Sequence, residues 1–255
     1  KIVVIGGGAA GAKAASKAKR LDAQNYVEIF TKDVNTSVSL CGLPYYIEGS
    51  VKDINDLIIR TPEKFLENGI PVYTKYELQE ILPQQNCVIV NHIFYDELIL
   101  ALGAQVYIPD IENVHSKNVF KLRSIEDALL IKEKMQVSKE VLLIGGGYIS
   151  IELAQAFIKN GLKVKLIEHK NVLLSDFDEE FSKKIQEALA STGKENIELY
   201  LGEKVTKFNV SEDNSFKEAV CESGKIISAD FCVLSTGIIP NTEIAKKAGI
   251  EIGVT

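Results

Sequence analysis

Two stretches constrain the fold more than anything else in the chain: "KIVVIGGGAAG" at 1–11 and "EVLLIGGGYIS" at 140–150. Each is a short apolar run, β-branched in the first, then a glycine turn, then a helix-forming segment. In the first, Gly6, Gly8 and Gly11 complete G-x-G-x-x-G, and 9–19 is rich in alanine, the strongest helix former. In the second, Gly145 and Gly147 hold the first two places and Ser150 the third. The first glycine of such a turn permits the sharp reversal and the second lets a pyrophosphate approach the backbone. The following helix start then offers it free N–H groups. A strand before each turn and a helix after it is the context that gives the pattern meaning. Two such units predict an α/β chain of two Rossmann-like dinucleotide-binding domains.

The end of the second strand of each unit bears on the nucleotide. Glu168 lies 23 residues after Gly145 (168 − 145), close to the spacing of about 20 at which a carboxylate meets the adenosine ribose. A carboxylate there favours NADH over NADPH, with Lys170 nearby working the other way. In the first unit the place is held by Thr31, 25 residues after Gly6 (31 − 6), followed by Lys32 and Asp33. A hydroxyl bonds a ribose less strongly than an ionised carboxylate.

Between the units, "PVYTKYEL", "NCVIVNHIF" and "YDELILALGA" read as short strands of a β-meander whose last strand returns to the first sheet. "KEAVCESGKIISADFCVLSTGIIPNTE" repeats the plan, and the endings "ALGA" and "STG" place Gly103 and Gly237 in like positions. The expected architecture is therefore a ββα three-layer fold, used twice, each with a meander insertion.

Net charge is −6 without a long basic run, which argues against a nucleic-acid surface. No apolar run reaches the roughly 18 residues of a membrane span, and the chain opens on a strand with neither a secretory signal nor an initiator Met. Cys41, Cys87, Cys221 and Cys232 form no CxxC pair, and His92, His115 and His169 are scattered, so no metal site is expected and reducing cytoplasm is the expected location. Cys87 and Cys232 lie in strand cores and, with Cys221, read as buried fillers.

Cys41 differs. It sits in "SVSLCGLPYYIEG", where Pro44 suits the first turn of a helix, so the thiol falls at the positive end of a helix dipole. In order, the chain shows dinucleotide fold, single cysteine, meander, "ALGA", second dinucleotide fold and "STGIIPNTE". This resembles the FAD-dependent pyridine nucleotide-disulfide oxidoreductases, in the subgroup with one redox cysteine that includes coenzyme A-disulfide reductase, NADH oxidase and NADH peroxidase.

The resemblance implies an FAD domain at 1–108, an NAD(P)H domain at 109–235 and the start of a return to the FAD domain at 236–255. It implies Cys41 as the catalytic residue. Gly6, Gly8, Ala10, Gly11, Thr31, Lys32 and Gly103 would contact FAD. Gly145, Gly147, Tyr148, Ile149, Glu152, Glu168 and Gly237 complete the cofactor set, with Tyr148 lying over the flavin and Glu152 on the nicotinamide side. Arg20 and Ser37 match positions that contact coenzyme A. Lys17 and Leu40 replace a glutamine and an asparagine found there, and Lys17, Arg20, Ser37 and Pro44 form the substrate set. Lys13, Lys17, Lys19 and Arg20 make a basic cluster suited to a phosphorylated substrate.

Oxidases and peroxidases of the subgroup carry a histidine in the first glycine loop, where this chain has Ala9 and Ala10. That shifts the expectation toward a small-molecule disulfide, such as coenzyme A disulfide, persulfide or polysulfide. The rivals are an NADH oxidase or peroxidase cycling Cys41 through sulfenic acid, and a non-catalytic redox sensor. Two further departures are Leu102 for a threonine in "LALGA" and an end at "GIEIGVT". Family members continue there with a second FAD segment and a dimerisation domain, so a fragment of a homodimeric enzyme is expected.

Overall fold

The computed structural model describes residues 1–90, 92–193 and 195–253. Asn91, in the first expected meander, and Val254 and Thr255, in the expected return segment, lie outside the described residues. The chain divides into two compact units. One comprises Lys1–Ser39, Asn55–Gln105 and the segment from Ile239, the other Leu40–Ile54 and Val106–Ile238.

In the first unit, β1 (Ile2–Ile5), α1 (Ala9–Leu21) and β2 (Val27–Thr31) form the opening βαβ. The helix α2 (Leu43–Glu48) follows but packs with the second unit. Then come α3 (Pro62–Leu66), β3 (Val72–Thr74), a meander of β4 (Glu80–Leu82), β5 (Cys87–Ile89) and β6 (Ile93–Phe94), and β7 (Glu97–Leu100). The sheet has the order β3-β2-β1-β7, parallel throughout, with Ile2 opposite both Val27 and Glu97.

Alternation along β1 builds three layers, since successive strand residues face opposite sides. Val4 faces Ala12 and Ala15 of α1, together with Ile29, Phe65 and Ile70. Val3 and Ile5 face Ile81, Val88 and Val90 of the meander. The meander is antiparallel, as expected, but it is shorter than expected at its start. Val72–Thr74, read from "PVYTKYEL" as its first strand, instead extends the parallel sheet beside β2. Three residues carry too little alternation to tell a parallel edge strand from a hairpin arm.

β8 (Ala104–Val106) leads out of this unit. The second runs through β9 (Val119–Lys121), α4 (Ile125–Gln136), β10 (Glu140–Ile144), α5 (Tyr148–Lys159), β11 (Lys163–Glu168), α6 (Glu179–Gly193) and β12 (Ile197–Leu201). The hairpins β13 (Val205–Val210), β14 (Phe216–Cys221) and β15 (Ile226–Ser228) follow, then β16 (Phe231–Leu234). Its parallel sheet has the order β12-β11-β10-β16-β9, and β13-β14-β15 form the antiparallel layer. Leu142, Ile144, Cys232 and Leu234 pack against Phe208, Phe216 and Ala219 of that layer. On the helix side, Phe157 meets Phe231 edge-on at 5.6 Å. α5 stops before Gly161, whose φ of +84° no continuing helix can take. β17 (Ile238–Pro240) pairs with β8, and α7 (Glu243–Lys247) places Ile244 against the core of the first unit.

Candidate nucleotide and thiol sites

The two glycine turns are built alike. Gly6 at φ +114° and Gly145 at φ +106° lie in a region that side chains rarely enter. A Cβ at either would also collide with a neighbouring backbone carbonyl, that of Ala101 or of Ser235. Each turn is locked by equivalent bonds. The Gly6 and Gly145 amides donate to Phe30 and Ile167 at 2.7 and 2.8 Å, and the Ala101 and Ser235 amides to Ile5 and Ile144 at 2.8 Å.

Gly8 and Gly147 are different, since a Cβ at either meets nothing within 4 Å. Packing within the protein therefore does not demand glycine there, and the space beside the backbone is open. Both residues cap their helices, α1 and α5, without a side-chain bond and without an acid in the first turn. By contrast, α4 carries a full capping box between Ser124 and Asp127, and the Thr61 hydroxyl caps α3. Uncapped N–H groups, a positive helix end and open space form a cradle suited to a phosphate anion.

Behind each cradle the units diverge. Gly11 is packed so tightly that a Cβ would strike the Gly6 carbonyl, whereas Ser150 fits in the second unit and its hydroxyl donates to the Gly145 carbonyl. Thr31 is buried at the end of β2, its hydroxyl accepting the Asp33 amide at 3.3 Å. Glu168 is buried at the end of β11 and accepts the Gly146 amide and, at 2.8 Å, the Lys170 amide. His169 Nδ1 lies 2.7 Å from Oε1, the same oxygen that accepts the Lys170 amide.

Cys41 lies in a single 3₁₀ turn, Leu40–Gly42, directly before α2. Pro44 stands in the first turn of α2 and is buried with Leu43 and Ile47, while the Cys41 side is exposed. The other three cysteines are buried. Burial pushes the Cys232 thiol far above its ordinary range, and the Cys221 thiol is raised by burial and by the charge of Glu203. Cys41 is thus the exposed thiol of the four.

Comparison with known proteins agrees with this geometry. The family model described as pyridine nucleotide-disulphide oxidoreductase matches residues 1–254. The chain belongs to this family. It is 36% identical to an NAD(P)H coenzyme A polysulfide/persulfide reductase of Pyrococcus horikoshii, over all of the chain and 57% of that protein. It is 33% identical to an NADH oxidase of Methanocaldococcus jannaschii, over 99% of the chain and 58% of the relative. Among solved structures, an NAD-dependent persulfide reductase from A. fulgidus superposes with a TM-score of 0.91 at 32% identity, covering 99% of this chain and 48% of that one. The chain therefore spans somewhat over half the length of these curated relatives.

Seen as a member of the oxidoreductase family, the chain groups its expected residues as follows. Gly6, Gly8, Ala10, Gly11 and Thr31 surround the first turn, and Ser37, at φ +55°, donates its amide to the Gly7 carbonyl at 2.8 Å. Lys32 is exposed beyond β2. Gly103 lies after β7, its carbonyl accepting the Asn241 amide at 3.0 Å. Lys17 and Arg20 are exposed in the second half of α1, about 12–17 Å of helix rise from its start, and so stand apart from the turn.

In the second unit Gly145, Gly147, Tyr148, Ile149, Glu152 and Glu168 surround the second turn. Tyr148 is 65% exposed at the start of α5. Glu152 is half-buried one turn along, and burial raises its carboxyl pKa. Gly237 is exposed after β16, its carbonyl accepting the Tyr107 amide at 2.9 Å. Sequence reasoning missed Thr36, fully buried with its methyl against Gly7 and its hydroxyl on the Arg60 carbonyl at 2.8 Å. It also missed that Glu168 binds its own glycine turn.

Proposed function

We propose that this chain carries the cofactor-binding and thiol-bearing part of an oxidoreductase that passes a hydride from NAD(P)H through FAD to Cys41, which reduces a small-molecule disulfide. The observation that carries the reading is the pairing of two open phosphate cradles, at Gly8 and Gly147, with a single exposed thiol. Gly6, Gly8 and Gly11, with Thr31 behind them, would hold FAD, and Gly145 and Gly147 with Glu168 would hold the nicotinamide nucleotide. The buried carboxylate of Glu168 supports NADH over NADPH. FAD, when bound, supplies the two-electron relay between nicotinamide and sulfur.

The chemistry assigned to the chain itself is at Cys41. Its thiolate attacks one sulfur of the substrate disulfide, so that a new S–S bond forms, the old one breaks and one thiolate leaves. The electron pair from NAD(P)H cleaves this mixed disulfide, a proton goes to the second leaving thiol, and Cys41 returns as thiolate. Coenzyme A disulfide, persulfide and polysulfide all fit this scheme, and the sulfur-reducing relatives support the class. We place the protein in a reducing cytoplasm, where such thiols stay free. The full-length form is taken as a homodimer.

A second reading, an NADH oxidase that cycles Cys41 through sulfenic acid, is favoured by the likeness to the archaeal NADH oxidase. Ala9 and Ala10, at the exposed start of α1, supply no acid for peroxide cleavage and weigh against it. In the full-length protein, Cys41→Ser is expected to abolish NADH-driven disulfide reduction and leave NADH-to-flavin electron transfer intact. Oxygen or peroxide consumption without disulfide turnover would favour the second reading. Loss of both activities in the variant, or no flavin absorbance in the purified protein, would contradict the first.

A further inference from the structure

The helix that follows Cys41 has only six residues, under two turns, and helices this short do not persist alone in water. Its apolar face, Leu43, Pro44 and Ile47, is buried, and α2 packs on both α4 and α5. The carbonyls of Tyr45, Tyr46 and Glu48 at its C-terminal end are met by donors. The Tyr45 carbonyl accepts the amides of Gly49, Ser50 and Val51 at 3.0–3.1 Å. Asn160, the C-cap of α5, donates its side-chain amide to the Glu48 carbonyl at 3.1 Å, and Lys159 pairs with the Glu48 carboxylate at 3.2 Å.

The remaining contact is the unusual one. Lys132, on α4, donates to the Tyr46 carbonyl at 2.7 Å, and its ammonium lies 3.7 Å from the centre of the Tyr46 ring. A half-buried lysine normally finds a carboxylate. Here burial and the charge of Lys52 both push its pKa down, and among the described residues no acid offsets them. What favours the ammonium is therefore α2 itself, through the negative end of the helix and the face of an aromatic ring.

We infer that Lys132 is a positioning residue for Cys41, holding the C-terminal end of α2 so that the preceding turn presents the thiol. The role rests on Cys41 being the redox thiol, but the clamp can be measured without it. Hydrogen exchange followed by mass spectrometry on the full-length protein reads the α2 amides directly. Lys132→Gln is expected to speed exchange of Gly49, Ser50 and Val51 by at least about tenfold, the size of a lost charge-assisted hydrogen bond. Exchange in β10 and β16 should be unchanged. Lys132→Arg, which keeps both the donor and the ring contact, should restore the α2 amides. In NADH-driven disulfide reduction, Lys132→Gln should lower kcat and leave KM for NADH unchanged.

Unchanged α2 exchange in Lys132→Gln overturns the inference, as does faster exchange spread through the whole unit that arginine fails to rescue. If Lys132→Gln does not fold, Tyr46→Leu decides: it removes the ring but keeps the carbonyl, so faster exchange confined to α2 supports the clamp and wild-type exchange overturns it. A positive exchange result with no disulfide turnover in any form would leave the clamp standing and count against the assigned role of Cys41.

Discussion

The two glycine turns answer the same mechanical problem with different amounts of tolerance. At the first position they agree, since Gly6 and Gly145 face a carbonyl where a Cβ would sit. At the third they part, because Gly11 closes on the Gly6 carbonyl while Ser150 leaves room and donates a bond instead. Behind the turn, a hydroxyl in one unit replaces a carboxylate in the other. The demand that comes from the protein's own packing is thus separable from the demand that would come from a nucleotide. The first falls on Gly6 and Gly145, the second on Gly8 and Gly147.

The largest effect tests that separation. Gly6→Ala or Gly145→Ala should cost at least about 3 kcal/mol in urea denaturation, because strain at positive φ adds to a backbone collision. Gly8→Ala and Gly147→Ala should change stability by less than about 0.5 kcal/mol, as for surface sites. Each should nonetheless weaken its nucleotide, read by FAD retention for the first and NADH titration for the second. If Gly8→Ala were as destabilising as Gly6→Ala, the open cradle would be a packing feature after all.

These turns were legible in the sequence because backbone geometry leaves glycine little competition, and the strands before them because β-branched runs leave few alternatives. The extra parallel strand at Val72–Thr74 was not legible, since three residues show no period. Nor was the company kept by residues 40–54. Leu43, Pro44 and Ile47 announce a buried face, but nothing local says which core receives it, and α4 and α5 lie some 80 to 120 residues further along. Lys132 was illegible for the same reason, as an ordinary lysine on an amphipathic helix until its carbonyl partner is known. Cys41 stood out in the sequence, and its exposure against three buried cysteines agrees with that contrast.

A smaller effect contrasts the residues behind the turns. Glu168→Gln removes a carboxylate that accepts two backbone amides, one of them the turn's own, and should cost about 1–2 kcal/mol. It should also shift nucleotide preference toward NADPH, measured as the ratio of the two affinities. Thr31→Val loses a single long bond to Asp33 and should cost about 0.5 kcal/mol. Equal costs would show that the carboxylate adds nothing to the second turn.

The smallest effect compares Glu152 with Lys13, each five residues past its cap glycine. Lys13 is exposed, whereas Glu152 is half-buried with a raised pKa. A raised carboxyl pKa means that the folded protein holds the proton to higher pH than the unfolded chain. The resulting stability is present in acid and lost as pH rises through the folded value. Glu152→Gln should therefore gain about a few tenths of a kcal/mol at neutral pH, after allowance for solvent screening, and nothing in acid. Lys13→Gln should show no such pH-dependent difference in denaturation midpoint.

The placement of residues 40–54 also governs how such a chain can be cut and recombined. Its path passes between the units four times, at 39/40, 54/55, 105/106 and 238/239, so neither unit is one continuous stretch. A clone of 106–238 alone would strip α4 and α5 of the helix that covers them and expose apolar surface. A chimera that exchanges the second unit between relatives must carry the cysteine segment with it, taken from inside the sequence of the first. Thiol and second unit belong to one compact block, although the gene writes them apart.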